Sequence, residues 1–259
     1  MTFWDHLDDL RGVLIKIAVV MLVLGVAAFC AMPRIFDTVV MAPCRPDFPF
    51  YRLLDGIAAA SPFDMGLADN FNLHLVALEL TSQFYIHLSA ACWIAAIVGF
   101  PIIIYFLWTF VSPALYDEEK RGIRRAFVAG NLMFYAGVAT GYYLVFPLAL
   151  RFLATYSLSD TITPMISLDS YMSNFFTLIL LMGAVFELPL LAWLLGKMGF
   201  LTRGFFKKYR RHAIVALLIV AGFITPTGDP FTLFAVFIPI YALWELSARL
   251  VPAPQPDNE

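Results

Sequence analysis

Long apolar runs separated by short clusters of charge constrain this chain more than any other feature. Six can be drawn, at about 12–33, 82–112, 125–152, 170–196, 212–225 and 231–248. A helix needs about 20 apolar residues to cross the ~30 Å hydrocarbon core of a bilayer. The first four runs satisfy that length. The last two are shorter: Ala213 to Ile224 is 12 residues and Phe231 to Trp244 is 14. Between them Thr225-Pro226-Thr227-Gly228-Asp229-Pro230 is a strong turn. They form either a re-entrant hairpin or two short spans in a locally thinned bilayer. Two spans are the expectation, because the flanking charges then fall on the correct side. Charged residues are only 14% of the chain, against about 25% in soluble domains, and mean hydropathy is +0.80. The period-two alternation of a membrane barrel is missing. The expected fold is an all-α, polytopic integral membrane protein with six transmembrane helices, the last two short. Residues 1–250 read as a single membrane domain and 251–259 as a disordered cytoplasmic tail.

Basic residues orient the spans. With the N-terminus inside, 13 of the 17 Lys and Arg fall on inner segments, chiefly Lys120 to Arg125 and Lys197 to Arg211. Arg34, Arg45, Arg52 and Arg151 fall outside. Both termini are therefore expected in the cytoplasm. Asp5, Asp8 and Asp9 precede the first apolar run where a cleavable signal would be basic, so that helix is expected to stay. The outer loop, 34–81, is rich in proline, and a helix over about Asn72–Glu79 could lie on the outer surface. Cys30, Cys44 and Cys92 lack metal spacing, and at most one pair could bridge.

The residues exclude most catalytic chemistry. There is no HExxH, no GxSxG and no phosphate-cradling glycine loop, and the four histidines are scattered. No cofactor or metal is implied. Three places carry unexplained polarity. In the inner loop, Asp117, Glu118 and Glu119 precede four bases within nine residues. Asp117 and Glu118 have Arg121 at helical pairing distance, whereas Glu119 has no base three or four positions downstream. A free carboxylate there could receive a partner's guanidinium bidentately. The N-terminal Trp4, Leu7, Leu10 and Leu14 follow helical spacing, which suggests an amphipathic lead-in along the inner interface, with Asp9 and Arg11 on the same membrane side as Glu119.

Glu187 is the third place, the sole charged residue between Ser170 and Gly196. A carboxylate at mid-bilayer costs roughly 2.5–3.5 kcal/mol on insertion scales, so the neutral acid is expected unless a partner offsets desolvation. Pro189 cannot donate to the Val185 carbonyl, which predicts a kink. Gly183, one turn earlier, leaves room for water or a close neighbour. The plainest account is a single interhelical hydrogen bond to Asn131, Thr140 or Ser89; the alternative is a functional acid.

Taken in order, these pieces resemble the TatC family, the polytopic subunit of the twin-arginine protein translocase. His6-Leu-Asp-Asp-Leu-Arg11 resembles the family's His-Leu-x-Glu-Leu-Arg opening. Phe100-Pro101, then Tyr105 through Tyr116 with Glu119, resemble its second span and first cytoplasmic loop. Phe146-Pro147, Phe186-Glu187-Leu-Pro189, Thr225-Pro226 with Asp229, and Pro239, Tyr241 and Glu245 match the third to sixth spans. The resemblance implies a glove-shaped bacterial inner-membrane receptor for paired-arginine signal peptides of folded cargo. It would assemble with small single-span TatA/TatB-type subunits and with itself, driven by the proton-motive force. By position, Glu119 and Asp9 would bind the signal, and Arg11, Phe110 and Pro113 would shape that surface. Glu187 would be the intramembrane polar site, and Asp229 and Pro226 would belong to the outer turn that docks partners. Asp9 stands where the family usually has Glu, Gly228 is an extra residue, and Leu233 stands where Gln is common. A proton-coupled transporter or channel using Glu187 as relay is the rival; it predicts inverted repeats and further intramembrane polar residues, and the sequence has neither.

Overall fold

The computed structural model describes residues 3–60, 73, 75–111, 117–155, 165–197, 199–225 and 229–251. The tail expected to be disordered lies, but for Val251, outside the described residues. Among the described residues ten α-helices follow one another: α1 Phe3–Ile35, α2 Pro49–Ala60, α3 Ser82–Val111, α4 Asp117–Thr140, α5 Phe146–Thr155, α6 Leu168–Val185, α7 Leu188–Lys197, α8 Arg203–Lys208, α9 Arg210–Ile224 and α10 Pro230–Leu250. Two-residue strands occur at Leu75–Val76 and Ile166–Ser167. Among the described residues, five stretches are long and apolar enough to cross a membrane, and α6 with α7 form one of them. The remaining apolar segment, α9, has 15 residues, about 22 Å at 1.5 Å per residue. The protein is all-α and polytopic, as the apolar runs require.

Two local expectations change. The N-terminal lead-in is not a separate element, because nothing interrupts the helical run from Phe3 to Ile35 and it simply opens α1. The outer-loop helix is not at Asn72–Glu79, where Leu75–Val76 is extended and Glu79–Thr81 turns. It is α2, which begins at Pro49, since proline is pre-set for a first helical turn. Phe48, Phe50 and Tyr51 there are buried rather than exposed as a patch.

The chain divides into two compact units. The first comprises Met1–Ala42, Val76–Leu132 and Ser167–Met172, and its centre is the antiparallel pair α1 and α3. Small residues make that approach possible: Ala28, Ala90, Ala91 and Ala95 are buried, as is usual where membrane helices pack. A Cβ on Gly99 would lie 3.0 Å from Leu24 Cδ1 and 3.2 Å from Met21 Sδ. Pro33 lies within α1 and has no N–H, so the Phe29 carbonyl one turn earlier loses its helical donor. His87 of α3 replaces it. Its Nε2 is 2.9 Å from that carbonyl, and its ring stacks on Phe29 at 3.9 Å. With a carbonyl as acceptor, Nε2 must carry the hydrogen. Elsewhere in this unit Ser82 Oγ donates to Asp169 at 2.8 Å, and the buried Tyr171 hydroxyl donates to the Val40 carbonyl.

The second unit comprises Pro43–Leu75, Met133–Ile166 and Ser173–Glu259. Glycine sets its closest helix approach. A Cβ on Gly137 would meet the Met182 carbonyl at 2.5 Å and Gly183 Cα at 2.8 Å, and one on Gly183 would meet the Phe134 ring at 2.8 Å. Between α4 and α5 the helix widens into a π turn, Gly141–Val145, closed by the Phe146 N–H on the Gly141 carbonyl. Pro147 follows at once, and a widened turn relieves the clash its ring would make one turn back. Tyr51 of α2 is buried beside this turn, donating to the Pro43 carbonyl at 2.9 Å. The buried Arg151 guanidinium lies 5.3 Å above the Tyr51 ring. None of the three cysteines is in a disulfide; Cys44 is buried and Cys30 and Cys92 are exposed.

His87→Ala is expected to destabilise the protein by about 1–3 kcal/mol, because it strands the Phe29 carbonyl in an apolar medium. His87→Gln, which keeps an N–H donor, should lose less. Thermal unfolding in detergent compares the two, and equal losses would mean the ring stacking matters and the hydrogen bond does not.

Candidate functional site

At one end of the first unit the α1–α3 register gathers several of the expected residues. Phe29 lies level with His87, and Met21 and Leu24 lie level with Gly99. Eleven residues beyond Gly99 is Phe110, and the same step back along α1 reaches Leu10 and Val13. Phe110 is half-buried, and Asp9 and Arg11 are exposed on α1 at that level. Arg11 lines an open trough along α1 with Leu7, Leu10, Leu14, Ile15 and Ala18. The Tyr105 ring of α3 and the Phe127 ring of α4 meet edge-on at 6.4 Å. Glu119 lies in the first turn of α4, which begins at Asp117 shortly after α3 ends at Val111. An acidic first turn suits the positive end of the helix dipole. Pro113 lies outside the described residues.

Glu187 sits at a break. Helix α6 ends at Val185, Phe186 and Glu187 form a turn, and α7 starts at Leu188. The Glu187 N–H tightens onto the Ala184 carbonyl at 3.1 Å, while the Glu187 carbonyl accepts from Leu191 at 3.0 Å. The kink expected from Pro189 is thus a full interruption. The space beside Gly183 is filled by Phe134 and Val138, so it holds a close neighbour. Among the described residues the interhelical bond offered as the plainest account is not formed at Glu187 Oε1. Asn131 donates to Phe127 at 2.8 Å and Thr140 to Ala136 at 2.8 Å, each within its own helix, and Ser89 is exposed. Glu187 Oε1 is buried with no hydrogen-bond partner among the described residues. Such an oxygen is costly to leave unsatisfied.

In the outer turn, Pro226 and Gly228 lie outside the described residues. Asp229 caps α10: its Oδ1 accepts from the Thr232 N–H at 2.7 Å, with Pro230 next in sequence. Leu233 is half-buried, its Cδ1 3.7 Å from where a Cβ on Gly222 would stand. Among the described residues no group of three or more His, Cys, Asp or Glu is placed to hold a metal ion.

The family profile described as Sec-independent protein translocase protein (TatC) matches residues 5–239. The chain belongs to the TatC family. The TatC of Blattabacterium is 34% identical over 251 residues, covering 95% of this chain and 93% of that protein. The TatC of Deinococcus radiodurans is 31% identical, over 95% of this chain and 84% of that protein. A crystal structure described as the twin arginine translocase receptor TatC in DDM superposes with a TM-score of 0.75 at 27% identity, covering 95% of this chain and 99% of that one. As a TatC-family protein the chain is a multi-pass membrane subunit of a Sec-independent protein translocase, a transport component and not an enzyme.

One constellation in this TatC-family chain escaped the sequence reading. Arg210 at the start of α9 pairs with Glu245 of α10 at 2.7 Å. Its Nε also lies 3.1 Å from the Tyr241 hydroxyl, which donates to Glu245 at 3.0 Å. Tyr241 and Glu245 are one helical turn apart, which was the available signal. The partner 31 positions away from Tyr241 could not be read from spacing. α10 continues past its apolar run to Leu250.

Asp229→Ala should remove the α10 cap and cost about 1 kcal/mol, whereas Asp229→Asn or Asp229→Ser should retain most of it. Thermal unfolding in detergent checks the order; an Asn variant as unstable as Ala would show that the side-chain cap contributes nothing.

Proposed function

We propose that this chain is the receptor and core subunit of the twin-arginine translocase, binding paired-arginine signal peptides of folded proteins at the cytoplasmic face. The reading rests chiefly on one observation. Asp9 and Arg11 are exposed on the part of α1 that its register sets level with the half-buried Phe110 of α3, and the acidic first turn of α4 with Glu119 follows α3 in the chain. Two carboxylates at a membrane surface can each take a guanidinium, and Arg attaches to carboxylate in a fixed bidentate geometry that Lys cannot copy. Glu119 and Asp9 are the arginine-binding acids in this account, and Arg11, Phe110 and Pro113 shape the surface around them. Both termini then lie in the cytoplasm, and the membrane is the bacterial inner membrane.

Glu187 is the second site. Its unengaged Oε1 at a helix break offers a polar contact to an inserting signal peptide or a partner helix. Asp229 and Pro226 belong to the outer turn at which small single-span subunits of the TatA/TatB type dock, and assembly draws on the proton-motive force. The solved relative described as a receptor supports the same reading.

Glu119→Ala and Glu119→Lys should leave membrane insertion intact but cut export of a folded reporter carrying a twin-arginine signal. A charge-assisted hydrogen bond contributes about 1.5–3 kcal/mol, so the loss should be on the order of ten- to a hundredfold, measured as periplasmic reporter in cells lacking the resident subunit. Normal export by either variant would sink the arginine-receptor assignment.

For Glu187, Gln should be tolerated better than Ala or Lys in the same export assay. The amide keeps the shape and hydrogen-bonding of the neutral acid, while Lys brings an uncompensated charge. If Gln proves as damaging as Lys, the polar-contact role is wrong and ionisation is required.

A further inference from the structure

Residues 197–211 join the end of the span Leu168–Lys197 to the start of α9, so they lie at the level of the lipid headgroups. This elbow is held firmly. Thr202 caps α8, its Oγ1 accepting from the Phe205 N–H at 3.3 Å. Phe206 is buried with Ala192 and Val251, its ring 4.7 Å from Trp244. Arg203 donates to the Val251 carbonyl at 2.7 Å and to the Arg249 carbonyl at 3.1 Å, closing the end of α10. Arg210 is committed to Glu245 and Tyr241. Helical hydrogen bonds continue across the α8–α9 junction, Tyr209 to Phe205 and Ala213 to Tyr209. Arg203, Phe206 and Arg210 thus share one face, turned to α10.

Lys207, Lys208 and Arg211 fall on another side of the same helical stretch by their i, i+1, i+4 spacing. All three are exposed. Among the described residues no ion pair engages them; the nearby carboxylate of Glu245 is taken by Arg210. Exposed Phe205 and Tyr209 alternate with these cations in sequence, and Lys208 Nζ lies 5.5 Å over the Tyr209 ring. Cations flanked by aromatic rings at the end of a span match the chemistry of a bilayer interface, where stems and rings sit in the acyl boundary and charge meets phosphate. Because α8 is clamped from behind, the three cations are presented together at little ordering cost.

We propose that Lys207, Lys208 and Arg211 form a headgroup site for an anionic phospholipid of the surrounding leaflet, seated on the rigid α8–α9 elbow. The site is independent of signal-peptide recognition and uses none of the residues assigned to it. Each cation near an anionic surface strengthens binding about fivefold, so neutralising three should weaken lipid retention on the order of a hundredfold. The attraction should also fall with added salt.

The test uses the full chain in nanodiscs of phosphatidylcholine with or without phosphatidylglycerol, read by thermal unfolding and by native mass spectrometry of retained lipid. Wild type should gain thermal stability and retain phosphatidylglycerol. The triple variant Lys207→Gln, Lys208→Gln, Arg211→Gln should lose both, while Lys207→Arg with Lys208→Arg should keep both and guard against a general folding defect. A control neutralising three exposed cations elsewhere, Lys16→Gln, Arg34→Gln and Arg52→Gln, should behave as wild type. An unchanged triple variant would overturn the proposal, as would an equal loss in the control, which would mean diffuse charge. Soluble glycerophosphate reproducing the stabilisation would overturn it too, by making the face a free-phosphate site.

Discussion

In an apolar medium each backbone donor and acceptor must find a partner within the protein, and this requirement governs the described structure. Helices satisfy it by themselves until a proline removes a donor. Of the prolines in or beside its apolar segments, Pro33, Pro147 and Pro189 are each answered differently. Next to Pro33 the orphaned Phe29 carbonyl takes a hydrogen from His87 of another helix. Ahead of Pro147 the helix widens into a π turn. Before Pro189 the helix stops and restarts, leaving Glu187 in the gap. The irregularities are solutions to one problem, and they fix where the helices can approach.

The polar residues divide along the same lines. Some of them mend the backbone: His87, Tyr171, Asp229 and Arg203 each engage a main-chain carbonyl or N–H. Others mend each other, as Arg210, Tyr241 and Glu245 do. Glu187 does neither with its Oε1 among the described residues, whereas the Asp229 carboxylate is engaged at the start of α10.

Much of the architecture was legible in the residues. Long apolar runs and the Pro189 break announce themselves, because span length and the missing N–H are properties of local sequence. The outer loop was read less well: α2 begins at Pro49 and buries Phe48 and Tyr51, whereas residues near Leu75 are extended. Burial of those rings depends on the π turn about a hundred residues away in sequence, where Phe48 meets Tyr142 edge-on at 5.5 Å. Asp9, Arg11, Phe110 and Glu119 were nameable from motifs, but that Asp9 and Arg11 lie level with Phe110 required the antiparallel register of α1 and α3.

The sequence by itself determined that this protein is helical and membrane-spanning, and the motif order pointed to the TatC family, because hydropathy, proline and short signatures are one-dimensional quantities. Only the tertiary structure decided which polar groups are already satisfied. A hydrogen bond between residues 58 apart, such as His87 to Phe29, leaves no trace in spacing. Nor does the division of the basic segment 203–211 into a clamped face and a free one, since that depends on which cations α10 captures.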